Sequence, residues 1–337
     1  MKRFIINSIL FSFLFILITE GTCRLFLVNY MPSEVNLNKS LSNFESQSNN
    51  IEILFLGHSY PYYGINPDCV DTLIKYKSHN FAFANEQIRS TFYKITSYLN
   101  QDKLNKLKLV VINLSQSSLF GQTSTLSTSY AYGRYYDFFD IGRHNADFLL
   151  PSIYSLSALY RVKMEKEAVV KNIWHGYHEN EIILKNGYSR RDYILSDETF
   201  KNETNTFIQW ETEKDFTLNY TSINYLKRLL AELKDRNIKV IFIIMPTPVL
   251  FLSDADIAKA QSLKKDIDFK EHKTVRIIKG LFPDIPVYNY FDDANGLSLN
   301  MFSDRGHFND KGAKCFSAKL AYDLEQYLSK TGNKIKN

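Results

Sequence analysis

The chain opens on an apolar run. Residues 4–19 are interrupted only by Asn7, Ser8 and Ser12, and Lys2 and Arg3 precede them. That length approaches what a helix needs to cross about 30 Å of hydrocarbon. Cleavage of an export signal favours small residues one and three places before the cut. With Cys23 as the first mature residue, Glu20 would occupy one of those places. Residues 1–30 therefore read as an uncleaved anchor in the cytoplasmic (inner) membrane. The basic flank predicts that the rest of the chain lies outside the cytoplasm, in the periplasm. Residues 31–50, rich in Asn and Ser from Asn36 onward, read as a flexible linker.

Short apolar runs of the kind buried on both faces of a sheet follow at 51–56, 80–84, 107–114 and 240–245, with a weaker one at 286–290. Between them, residues 88–99, 222–235 and 311–328 repeat apolar positions at helical spacing, as in Leu226, Leu229, Leu230 and Leu233. Alternating strand and helix predicts an α/β fold over 51–329, a three-layer α/β/α sandwich with about five parallel strands. Residues 330–337 read as a frayed tail. Residues 115–215 break the rhythm and are crowded with aromatics, from Tyr130 to Tyr193. A structureless loop of that length is rare in a compact domain, so the expectation is a helical insertion lying over the sheet.

Composition narrows the function classes. Hydrophobic residues make up 45% of the chain, enough for a real core and too many for a disordered protein. Basic residues outnumber acidic ones by only 41 to 36 and are spread along the chain, whereas a nucleic-acid partner would call for a basic stripe. Cys23, Cys69 and Cys315 form neither a metal-ligand spacing nor an even disulfide set. No metal or organic cofactor is implied.

Two segments can carry chemistry. The first apolar run ends in Gly57-His58-Ser59, and ligands of parallel α/β sheets bind beyond the carboxyl ends of the strands. The second segment is Asp304-Arg305-Gly306-His307, followed by Phe308, Asn309 and a helical pattern. A serine hydroxyl needs a base such as neutral imidazole, and a carboxylate must orient that base. Asp304 and His307, three apart on one loop, can do so, and Asn309 suits the cap of the next helix. Met245-Pro246-Thr247-Pro248 forms a stiff turn at the same sheet edge. Arg134, Arg143, Arg190 and Arg191 read either as solvated charges or as contacts for anionic groups.

Gly57-His58-Ser59 and Asp304-Arg305-Gly306-His307, in this order and at these ends of the chain, resemble the SGNH/GDSL hydrolase superfamily. Leu56 to Ser59 with Tyr62 to Pro67, together with the FNDKGAKCFSAKL stretch at 308–320, look like its membrane-anchored members in bacterial envelopes. The resemblance implies a flavodoxin-like sandwich and catalysis by Ser59, His307 and Asp304 through an acyl-enzyme. It implies an acylated envelope or extracellular polysaccharide as substrate, with a separate membrane O-acyltransferase as partner. The family's oxyanion donors map onto the backbone N–H of Ser59, onto Asn85 and onto Gln116. Asn85 stands where the family has glycine, and Gln116 or Ser117 is the nearest donor where the family has asparagine. His58 replaces an aspartate and is an alternative base. These departures keep two expectations open: a serine esterase or O-acyltransferase, or a degenerate SGNH-like protein that binds glycan or the acyltransferase without chemistry.

Overall fold

The computed structural model describes residues 1–120, 157–164, 166–175, 182–212, 217–264, 272–293 and 295–330. It divides into two compact units, Met1–Leu41 with Ser124–Glu181, and Ser42–Thr123 with Ile182–Asn337.

In the second unit the strands are β1 (Ile53–Leu56), β2 (Ser78–Asn80), β3 (Leu109–Asn113), β4 (Ile182–Ile183), β5 (Ser189–Arg190), β6 (Lys239–Ile244) and β7 (Val287–Asn289). Five of them form one parallel sheet in the order β2-β1-β3-β6-β7, and β4 and β5 make a small antiparallel hairpin. Register is set by Leu56 opposite Ile112, Ile112 opposite Phe242 and Phe242 opposite Val287. Alternate residues Ile53, Phe55, Leu109, Val111, Ile241 and Ile243 share a core with Phe316, Leu320 and Leu324 of the final helix, Asp310–Lys330. Leu54, Leu56, Val110, Ile112, Phe242 and Ile244 between them are equally buried. Burial of both sets explains why these strands read as continuous apolar runs. Each such side chain contributes about 1.5–3 kcal/mol relative to exposure.

The sequence places the second strand at 80–84, but it occupies Ser78–Asn80. Its polar residues hid it, because their side chains serve neighbouring loops. The Ser78 N–H donates to Asp71 Oδ1 at 2.8 Å, and Asn80 Nδ2 donates to the carbonyls of Pro61 and Ile65 at 2.6 and 2.8 Å. The chain then runs on beside β1, with Phe81 N–H donating to Phe55 O at 2.9 Å and Phe83 N–H to Gly57 O at 3.4 Å.

The expected flexible linker at 31–50 is a correction. Residues Pro32–Glu45 are helical and Ser48–Asn50 form a further helical turn. Leu37, Leu41 and Phe44 recur at helical spacing inside a polar composition, and all three are buried. Phe44 stacks on Phe81 at 3.7 Å between ring centroids and meets Tyr98 edge-on at 4.7 Å.

The expected insertion at 115–215 is also redrawn. Its described parts include the helices Ala158–Met164, Lys166–His175 and Asp197–Thr212. The first two of these helices fall in the first unit. From Ile182 onward the chain belongs to the sheet-bearing unit, where Tyr188, Leu195 and Phe200 join the core. Arg134, Arg143 and the aromatics of 121–156 lie outside the described residues, as does the tail beyond Lys330.

The first unit begins with the helix Lys2–Thr22, whose apolar character extends to Leu27. That span is long and apolar enough to cross a membrane, and none of the helix Lys2–Thr22 is buried in the protein.

Candidate active site

After β1, Gly57 has φ +140°, a conformation that side-chain-bearing residues rarely adopt. A Cβ there would stand 3.1 Å from Asn113 Cβ and 3.2 Å from the Asn113 carbonyl oxygen. Glycine therefore lets the chain turn sharply off the strand, and Ser59 follows as the first residue of the helix Ser59–Gly64. The Asn80 amide, through Pro61 O and Ile65 O, ties that helix to β2.

The partner groups come from a tight loop closed by the bridge between Phe302 and Phe308. Ser303 N–H donates to His307 O at 2.8 Å, and Asp304 Oδ1 accepts from the N–H groups of Gly306 and His307 at 2.8 and 3.1 Å. Asn309 Oδ1 accepts from Gly312 N–H at 3.1 Å, so it caps the final helix as its position in the sequence predicts. With the loop fixed in this way, His307 Nδ1 lies 2.7 Å and 3.0 Å from the two Asp304 oxygens, and Nε2 lies 2.8 Å from Ser59 Oγ. The carboxylate can accept only, so Nδ1 carries the proton of the neutral ring and Nε2 is left to accept from the Ser59 hydroxyl. Tyr60 and Tyr63 hold the imidazole edge-on, at 5.7 and 5.1 Å.

Burial works to raise the Asp304 carboxyl. The hydrogen bond and charge of His307, the Gly306 N–H and the Arg191 charge outweigh it and hold the group at about 2. Asp304 is thus a fixed negative charge beside the imidazole.

Arg191 belongs to this site, although the sequence offered it only as a solvated or anion-binding charge. Its Nη1 donates to Asp304 Oδ2, and its guanidinium lies 3.6 Å from the centroid of the Tyr63 ring. Asp310 N–H donates to the Arg191 carbonyl at 2.7 Å, which pins the residue to the first turn of the final helix. Arg190 points elsewhere, pairing with Asp192 at 2.7 Å.

His58 is not the base for Ser59. Its Nδ1 accepts from Tyr60 N–H at 3.5 Å, so its proton sits on Nε2, which donates to Ser115 Oγ at 2.7 Å. Desolvation, with a smaller effect of the His307 charge, lowers His58 to about 3, and the ring stays neutral. Because Ser115 Oγ accepts from His58, its own proton points to another acceptor. Ser118 Oγ lies 3.3 Å away. Ser59 and Ser115 each lie three residues beyond the paired Leu56 and Ile112, past the carboxyl ends of two adjacent strands.

Asn85 sits in the turn after β2 with φ +58°, the left-handed conformation that its side-chain type tolerates. The extension of 81–83 alongside β1 brings this turn to the sheet edge that carries Ser59. Glu86, the next residue, is fully buried and pairs with the equally buried Lys94 at 2.7 Å. Lys94 also donates to Phe81 O and lies 4.2 Å from the centroids of the Phe81 and Phe83 rings, so the turn is clamped from within. Gln116 begins the short helix Gln116–Leu119 after β3, and its side chain lies outside the described residues. Asn113, the last residue of β3, turns its amide into the sheet and donates to Ile243 O at 3.3 Å.

No protein-family model matches the sequence, and no curated protein is significantly similar to it.

Proposed function

We propose that the protein is a serine esterase or O-acyltransferase, a membrane-anchored relative of the SGNH hydrolases with their three-layer sandwich, acting outside the cytoplasm on acyl esters of envelope or extracellular polysaccharide. The observation that carries the reading is the unbroken chain from Ser59 Oγ through His307 to Asp304. Nε2 takes the hydroxyl proton as Oγ attacks the ester carbonyl. The tetrahedral oxyanion is met by the N–H groups of Ser59 and Asn85, by Gln116, and by the Ser115 hydroxyl that His58 orients. The imidazolium then protonates the departing alcohol, leaving an acyl-enzyme. Water or a sugar hydroxyl, deprotonated by the same imidazole, takes the acyl group and restores Ser59. The polysaccharide and the acyltransferase partner rest on the family resemblance alone.

The rival reading, a non-catalytic shell that binds glycan or the acyltransferase, draws on one observation. Asn113, the last residue of β3, spends its amide on Ile243 and does not offer it to Ser59. The aligned Ser59, His307 and Asp304 weigh against it.

The test uses the full chain in detergent. It is expected to hydrolyse p-nitrophenyl acetate and acetylated polysaccharide, and to be labelled by a fluorophosphonate on Ser59. Hydrolysis and labelling that are equal in Ser59→Ala would refute the enzymatic reading.

A further inference from the structure

The helix Lys166–His175 in the first unit presents an exposed apolar face that no described residue covers. Val169 and Asn172 turn inward and are buried, while Val170, Ile173 and Trp174 are 53%, 46% and 79% exposed. These three recur at the helical spacing that makes one stripe. Lys163, Lys166 and Lys171 are exposed in the same stretch, and Glu167, one turn before Val170, is the exposed acidic residue among the described ones of that stretch.

What covers this face follows from where the helix is tied. Asn172 Nδ2 donates to the Tyr30 carbonyl at 2.9 Å, and Tyr30 lies three residues beyond the apolar span Lys2–Leu27. The preceding helix, Ala158–Met164, is tied to the span itself. Glu20 accepts from Ala158 N–H at 2.7 Å, from Leu159 N–H at 3.1 Å and from Ser157 Oγ at 2.8 Å. The two helices are therefore attached at residues 20 and 30, on either side of the end of the span. At about 1.5 Å per residue the span measures roughly 39 Å. That exceeds a hydrocarbon core of about 30 Å, so its last turns stand among the lipid headgroups.

We infer that Lys166–His175 lies on the surface of the bilayer crossed by Lys2–Leu27, with Val170, Ile173 and Trp174 inserted at headgroup depth among anionic lipids. This rests on the anchor in the proposed function and is independent of the chemistry at Ser59. An apolar stripe flanked by lysines is the pattern of an interfacial helix, and a tryptophan with one apolar and one polar edge suits the boundary. The lysine stems cover apolar surface while their ammonium groups reach lipid phosphates.

The experiment uses the full chain with Trp210→Phe, which leaves Trp174 as the single tryptophan, reconstituted into vesicles of phosphatidylglycerol and phosphatidylcholine. Flotation is read alongside fluorescence. Expected are co-flotation, a blue-shifted Trp174 emission, loss of most of that emission when the lipids carry bromine high on the acyl chains, and shielding from aqueous iodide. Raising phosphatidylglycerol should strengthen the bromine quenching. A protein that floats while Trp174 stays open to iodide and blind to bromine overturns the inference and leaves the anchor standing. Shielding from both quenchers overturns it in favour of a protein partner on that face. Failure to float removes the anchor and the inference together.

Discussion

The Arg191 guanidinium lies 3.6 Å from the centroid of the Tyr63 ring while its Nη1 grips the carboxylate of Asp304. The contact joins the chain after β5 to the helix that begins with Ser59 and to the loop that carries His307. A group so placed positions the carboxylate. Arg191→Met should lower kcat by about ten- to a hundredfold with KM nearly unchanged, since small misplacements of reacting groups are costly. Arg191→Lys, whose ammonium cannot lie flat on Tyr63 while donating to Asp304, should recover only part of the loss. Steady-state kinetics on p-nitrophenyl acetate separate the two parameters.

Neither Asp304 nor His58 should shape the pH profile near neutrality. Asp304 is held at about 2 and His58 at about 3. Both keep one charge state above about pH 5, about two units or more from either value. Neither group therefore changes protonation between about pH 5 and pH 8. A plot of log kcat/KM against pH over that range should keep its shape in His58→Gln.

Ser115→Ala removes a hydroxyl that is oriented by His58 at 2.7 Å. If that hydroxyl meets the oxyanion, kcat should fall by about a hundredfold, in line with the loss of one donor, with little change in KM. His58→Phe should reproduce much of the effect, because the donor to Ser115 is then absent. Unchanged kcat in both variants assigns the pair a purely structural role.

Lys94→Met should destabilise the fold by about 3–5 kcal/mol, the cost of leaving one partner of a buried ion pair uncompensated. Glu86 is the group stranded. Desolvation already raises it, against the charge and hydrogen bond of Lys94. Adding Glu86→Gln should return part of the stability. Urea denaturation followed by circular dichroism measures both changes.

His79 should make the fold sensitive to mild acid. It is buried with neither ring nitrogen hydrogen-bonded, and desolvation, aided by the charges of Lys77 and Lys94, lowers it from 6.5 to about 3. Between those values the unfolded chain binds a proton that the folded chain does not, so stability declines as pH falls through that window. The urea midpoint should drop from pH 7 to pH 5, and by less in His79→Leu.

The α/β class and the positions of β1, β3 and β6 were legible in the sequence, because strands buried on both faces read as apolar runs; the half-exposed edge strand β7 gave a weaker run. The sequence also located Ser59, Asp304 and His307, because a glycine turn after a strand and a carboxylate three residues before a histidine are local patterns. The polar strand Ser78–Asn80 and the helix Pro32–Glu45 stayed hidden, since their character depends on what they touch: Asn80 on the carbonyls of Pro61 and Ile65, Phe44 on Phe81. The partners of Arg191, His58 and Ser115 were likewise decided only in three dimensions. Residues 116 positions apart in the chain, as Arg191 and His307 are, meet because the final helix packs against the sheet and pins both. Local patterning records which groups can react, whereas long-range packing sets which of them face one another.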